Sequence, residues 1–289
     1  METSDLLKRV RQIEIKTRGL SSNIFAGEYH SAFKGRGMTF SEVREYQYGD
    51  DIRNIDWNVT ARHNHPYIKV FEEERELTVM LLIDVSGSRN FGSVSKLKKN
   101  QITEIAAVLA FSAIQNNDKI GVLFFSDKIE KFIPPKKGRT HILHIIRELI
   151  DFKPEDTKTN IALALEYLTN SIKKRCTSFI ISDFIDDNSF DHALAIANRK
   201  HDVIALRVYD RREQELPPVG LIYLKDAESG EKMWVDTSDK KVRENYRQFA
   251  FIKEKELINS FKKAGVDMAN IRSDEDYVRA LITLFKKRV

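Results

Sequence analysis

From Thr78 to Tyr209 the chain alternates apolar runs of strand length with amphipathic stretches of helix length, and this alternation limits the fold more than any other feature. A strand covered on both faces has no side to show to water, so it reads as a continuous run of Val, Ile, Leu and Phe. A crossover helix instead shows apolar residues three and four apart. The runs Thr78 to Asp84, Lys119 to Ser126, Thr177 to Asp183 and Asp202 to Tyr209 read as strands. The stretches near Lys96 to Asn116, Thr140 to Phe152, Ile161 to Lys174 and Phe190 to Lys200 read as helices. The expected fold class is therefore α/β, a doubly wound, mostly parallel sheet flanked by helices. Lys128 to Ile133 is expected to be a short antiparallel edge strand, because its link to the preceding strand is too short for a crossover.

Charge and cysteine usage narrow the function classes. With 42% hydrophobic and 31% charged residues over 289 positions, the composition is that of a folded soluble domain. The longest mostly apolar uncharged run, Ile105 to Ile114, has half the roughly 20 residues needed to cross a bilayer, and no signal-like segment opens the chain. The expectation is a cytoplasmic protein with no transmembrane segment. Lys and Arg exceed Asp and Glu by five, and the region from Asp239 on, with 13 basic and 8 acidic residues, holds all of that excess. Positive charge there is explained by a solvated helix face and by the dipole at a helix C-terminus, so no nucleic acid partner is expected. The alternative, a nucleic-acid contact through the basic tail Lys286-Lys287-Arg288, lacks any interleaved aromatics. A lone Cys176 has no CxxC or CxxH neighbour and is expected to be an inert, reduced thiol.

Three regions follow. Residues 1–76 hold an N-terminal helix over residues 4–16, behind a Ser4 cap, and then a segment rich in Gly, Arg, Asp and aromatics, expected to be irregular or extended and packed on the sheet. Residues 77–215 form the sheet domain. Residues 216–289 hold a hairpin (Gly220 to Asp226 and Glu231 to Asp236) and helices around Lys240 to Lys263 and Asp274 to Lys287, expected to complete the same globule.

Ligands of open α/β sheets gather at the carboxyl ends of the strands. The first such end reads Asp84-Val85-Ser86-Gly87-Ser88. In an extended segment Asp84, Ser86 and Ser88 face one side and present three hard oxygens. A cation such as Mg²⁺ takes six oxygens, so other strand ends must contribute. Asp183, closing an apolar strand, and Thr159, which with Asn160 opens a helix as an N-terminal cap would, are the candidates.

This pattern, DxSxS followed by a Thr before a helix and an Asp closing a later strand, resembles the von Willebrand factor A-type domain. In that family the constellation is the metal-ion-dependent adhesion site. The resemblance implies hydroxyl ligands from Ser86, Ser88 and Thr159 and carboxylates from Asp84 and Asp183, holding Mg²⁺ (or Mn²⁺ or Ca²⁺). It departs from the family pattern at Arg89, where many members have Met, and at Phe184, where Gly is frequent. Two carboxylates neutralise the ion, which stays electrophilic toward an Asp or Glu of a partner. No second acid, base or nucleophile is evident beside it, so no enzyme and no catalytic residue are expected.

The block Gly27-Glu28-Tyr29-His30-Ser31, Phe33-Lys34-Gly35-Arg36-Gly37, Arg44-Glu45-Tyr46, Gly49-Asp50-Asp51-Ile52-Arg53, Ile55-Asp56-Trp57 and Ala61-Arg62 resembles the bacterial domain of unknown function family fifty-eight. Members carry this block before an A-type domain and are typically encoded beside a MoxR-type AAA+ ATPase. The resemblance implies an adaptor that works with that ATPase in assembling or activating client proteins, a client supplying the acidic side chain. The chain has no GxxxxGK[ST] phosphate loop, so ATP hydrolysis would be the partner's. From the residues alone, Arg36, Arg44, Arg53 and Arg62 are forks for Asp50, Asp51 and Asp56, with Trp57 as a packing anchor. His30, His63 and His65 read as ordinary surface or hydrogen-bonding histidines. The alternative enzyme reading is a haloacid dehalogenase-like Mg-dependent phosphatase, with Asp84 as nucleophile and Asp183, Asp186 and Asp187 as the later acids. It meets Ser86 where that family carries its second Asp.

Overall fold

The structure, a computed structural model, describes residues 39–63, 65–72, 77–90, 98–155, 158–225, 230 and 232–288. The expected helix near Ser4, the Gly27 to Gly37 part of the upstream block, His30 and Arg36 lie outside them.

Residues 39–72 belong to a compact unit distinct from the sheet domain. Strands β1 (Thr39–Glu45) and β2 (Tyr67–Glu72) pair antiparallel with a bulge between Phe40 and Glu42. Between them come a 3-10 turn (Ile52–Asn54) and a short helix α1 (Trp57–His63), which extended structure alone had not suggested. Arg44 grips Asp50 with both nitrogens, at 2.9 and 2.8 Å, and this fork holds the Asp50 carboxyl below the usual carboxylate range. Asp51 caps the turn through the Arg53 N–H, and Asp56 accepts the N–H groups of Asn58 and Val59 at the start of α1. Trp57 is 69% exposed and so is not the buried packing anchor its size suggested.

The second unit is built on one sheet. Its elements in chain order are β3 (Thr78–Asp84), α2 (Lys98–Gln115), β4 (Lys119–Phe125), β5 (Ile129–Lys136), α3 (Arg139–Asp151), α4 (Ile161–Ser171), β6 (Thr177–Ser182), α5 (Asp191–Lys200), β7 (Asp202–Tyr209), β8 (Leu221–Lys225), β9 (Lys232–Asp236), α6 (Lys240–Ala264), β10 (Asp267–Arg272) and α7 (Tyr277–Arg288). The sheet order is β10-β7-β6-β3-β4-β5, parallel throughout except for the antiparallel edge β5. The doubly wound α/β class expected from the alternation is the one observed.

The expected elements reappear with ends shifted by a few residues. One strand is new. Asp267–Arg272 joins the sheet parallel to β7, so the C-terminal region supplies the second edge strand. Its sequence, Asp267-Met268-Ala269-Asn270-Ile271-Arg272, carries no continuous apolar run, because an edge strand buries little of itself.

Met80, Leu82, Ile180, Val203 and Ala205 face α4, α5 and Phe261 of α6 in one core layer. The intervening residues point the other way, and there Phe179 meets Phe285 of α7 edge-on at 6.3 Å. The chain leaves β3 toward β4 on one side and returns to β6 on the other, so winding reverses between β3 and β6. Crevices in such sheets open at this reversal. Arg288, part of the basic tail, pairs with Asp202 at 2.5 Å and Asp267 at 3.1 Å, tying α7 to the starts of β7 and β10.

Gly121, in β4, leaves no room for a side chain. A Cβ there would lie 2.8 Å from the Met80 sulfur and 2.9 Å from both the Ile133 carbonyl oxygen and the Pro135 nitrogen. Gly121→Ala should therefore cost about 1–3 kcal/mol of stability, measured by chemical denaturation, and a value near zero would mean that the β4–β5 edge shifts freely.

A candidate metal centre at the sheet reversal

Ile83 of β3 lies opposite Ile181 of β6, so the next residues, Asp84 and Ser182, leave the sheet side by side. Ser182 Oγ donates to Asp84 Oδ2 at 2.6 Å and accepts from the Phe184 N–H at 2.9 Å. The other Asp84 oxygen, Oδ1, accepts from the Ser86 N–H at 2.9 Å, which folds the chain back on itself before the 3-10 turn Gly87–Asn90. Ser86 and Ser88 thus meet through a turn, with their hydroxyls 3.0 Å apart, and strand alternation is not what aligns them.

Asp183 accepts hydrogen bonds from the Ser88 hydroxyl and, at 3.1 Å, from the Ile185 N–H. The loop after β6 is held in place by Phe184, a non-glycine residue in the left-handed region at φ 60°. Such a conformation costs roughly 1–2 kcal/mol outside glycine. Burial of the ring, 5.0 Å from Phe261 and 6.4 Å from Phe190, offsets it. This is the position where the sequence departs from the Gly frequent in A-type domains, and here a buried aromatic residue takes the left-handed conformation.

Thr159 lies at the same end of the sheet, buried, one residue before the N-cap of α4. Asn160 is the capping residue, its Oδ1 accepting from the Leu163 N–H at 3.0 Å, while its own N–H reaches the Ser126 carbonyl beyond β4. Asp84, Ser86, Ser88 and Asp183 are thus joined by hydrogen bonds, and Thr159 sits at the adjoining strand end. Asp186, a carboxylate of the phosphatase reading, accepts the Ile161 N–H at 2.8 Å and the Asn188 N–H, and so serves as a second cap on α4.

Three groups of the site had no sequence signal of their own. Ser182 gave only the last residue of an apolar run. Lys98 and Glu213 come from α2 and from the 3-10 turn Arg211–Glu213, and only the fold brings them together. Lys98 Nζ lies 2.8 Å from Asp183 Oδ2 and 2.5 Å from Glu213 Oε1, and Lys98 is 1% exposed.

The charges balance unevenly. Burial would raise the Asp183 carboxyl, but the Lys98 ammonium outweighs it and holds Asp183 below the usual range. Burial would likewise weaken Lys98 as a cation, and the two acids around it reverse that. Glu213 is pushed up by burial and by Asp183, against the pull of Lys98. Asp84 is pushed up to about 6, by burial first and by Asp183 second. Its hydrogen-bond donors, Ser182 and the Ser86 N–H, are both neutral. Asp183 and Glu213 thus share one ammonium, and among the described residues no cation is paired with Asp84.

This arrangement suits a hard divalent ion. Asp84, Ser88, Lys98 and Asp183 wall a cavity of about 10 Å³, room for a single small species. Among the described residues no group of three or more His, Cys, Asp and Glu side chains is placed to hold a metal ion. Elsewhere Cys176 is buried beside His201, its thiol pushed up to about 12 by burial, as expected of an inert cysteine.

Among solved structures the chain is similar to an aerotolerance-related membrane protein from Bacteroides fragilis, at 16% identity and TM-score 0.50, over 73% of this chain and 98% of that one. A weaker likeness, at 9% identity and TM-score 0.39, is to the SpRpn10 VWA domain, over 72% of this chain and 94% of that one. No described helix is long and apolar enough to cross a membrane. An uncharacterized protein of Mycobacterium tuberculosis, Rv1480, is 27% identical over 285 residues, 98% of this chain and 90% of that protein. A family model matches residues 42–256, from the antiparallel unit into α6, and the chain belongs to that family, the proteins of unknown function DUF58.

Proposed function

We propose that this protein is a divalent-cation-dependent protein–protein interaction module. Asp84, Ser86, Ser88, Thr159 and Asp183 would hold the ion, Mg²⁺ or a similar hard cation, and the ion would supply a Lewis-acidic point for an Asp or Glu of a partner. The observation that carries the reading is Asp84: a buried carboxylate beside a second one, with only neutral donors on it among the described residues, among serine hydroxyls, at the reversal of the sheet. Ser182 and the Ser86 N–H orient that carboxylate. The 3-10 turn sets the two hydroxyls together before any ligand arrives, so little ordering is left for binding to supply.

We further propose a MoxR-type AAA+ ATPase as the working partner and a client protein as the source of the acid. The family resemblance supports this; the sequence has no phosphate-binding loop of its own, so ATP hydrolysis would be the partner's. No enzymatic turnover is assigned.

Pull-down of a MoxR-type ATPase or an acidic client should need Mg²⁺, and both chelation and Asp84→Ala should reduce retention by tenfold or more. Retention that ignores both would discard the cation. Ser182→Ala, which removes the hydroxyl between Asp84 and the Phe184 N–H, should destabilise the fold by about 1–3 kcal/mol in thermal unfolding while leaving some cation-dependent binding. A generic phosphate ester should not be turned over above background, and turnover lost in Asp84→Asn would replace the reading with the phosphatase.

A further inference from the structure

We propose that Lys98 is the built-in counter-ion of this site and competes with a divalent cation for Asp183, with Glu213 as the second seat that lets the ammonium give way. The inference rests on the cation-site reading above and concerns what sets the ion's affinity.

A lysine this deeply buried survives only when fully paired. Lys98 is held from two sides, at 2.8 Å by Asp183 and at 2.5 Å by Glu213. Each acid gives one oxygen to the ammonium and the other to a backbone N–H: Asp183 Oδ1 to Ile185, at 3.1 Å, and Glu213 Oε2 to Asp210, at 3.2 Å. Both carboxylates are therefore fixed in place, and the long side chain of Lys98 is the adjustable partner. It borders the same small cavity as Asp84 and Ser88.

An ion held by Asp84, the serine hydroxyls and Asp183 would have to share Asp183 with this ammonium. Like charges repel several times more strongly in such a buried place than in water, so the two cations exclude each other there. A lysine with only Asp183 as partner would be stranded by an arriving ion. Glu213 removes that penalty, because the ammonium keeps one full carboxylate after leaving Asp183. The consequence is a site that is charge-paired without metal and takes up metal only at a concentration high enough to displace Lys98. A purely structural salt bridge would make the opposite prediction, that losing Lys98 never improves cation binding.

The test is calorimetric titration of Mn²⁺ into the full chain, comparing the wild type with Lys98→Met and with the double variant Lys98→Met/Glu213→Gln. The double variant removes the ammonium together with one of the two acids facing it, and so stays informative if the single variant folds poorly. Mn²⁺ should bind both variants at least tenfold more tightly than the wild type. Saturating Mn²⁺ should also raise the Tm of the variants more than that of the wild type. Equal or weaker binding by the variants, with the wild type binding, overturns the competition and leaves the cation site standing. Failure of all three proteins to bind Mn²⁺ overturns both.

Discussion

The cost of placing carboxylates at the buried end of a parallel sheet governs this protein's chemistry. Asp84, Asp183 and Glu213 converge where water is largely excluded, and Lys98 pairs with the latter two. Buried ion pairs contribute little net stability against well-packed apolar residues, since desolvation consumes most of the Coulomb gain. Such a cluster is therefore better read as a device than as a fastening. The hydrogen bonds around it support that view, because each acid accepts a backbone N–H of its own loop before any cation is considered.

The scaffold makes this possible by being rigid on both sides. β3 and β6 are buried along their length and register Ile83 against Ile181, so Asp84 and Ser182 emerge with little freedom. The loop that follows is locked by Phe184 in a left-handed conformation that only its aromatic neighbours make tolerable. Polar precision at the end of the sheet thus draws on apolar packing behind it. The same layer, through Phe261, links the loop to α6.

Much of this was legible in the residues. The continuous apolar runs gave β3, β4, β6 and β7, and the short link after β4 gave an antiparallel β5, because burial on two faces and chain length leave few alternatives. DxSxS and the Asp at the end of β6 could be found as strand ends. β10 was not legible, since Ala269 and Ile271 are its only buried residues. Trp57 misled, as indole size suggests burial while the structure leaves it mostly exposed. Ser182 was hidden by being the ordinary final residue of a strand.

The sequence by itself determined the class of sheet, the order of its central elements and the identity of the oxygen-bearing loop, because these follow from local periodicity and from short connections that restrict topology. Only the tertiary structure decided what surrounds that loop. Lys98 meets Asp183 across 85 positions and Glu213 across 115, a pairing that no local pattern encodes and that parallel winding creates by bringing distant strand ends to one edge. The charge state of the site is accordingly a property of the fold, since electrostatic energy depends on distance and burial, and neither can be read along the chain.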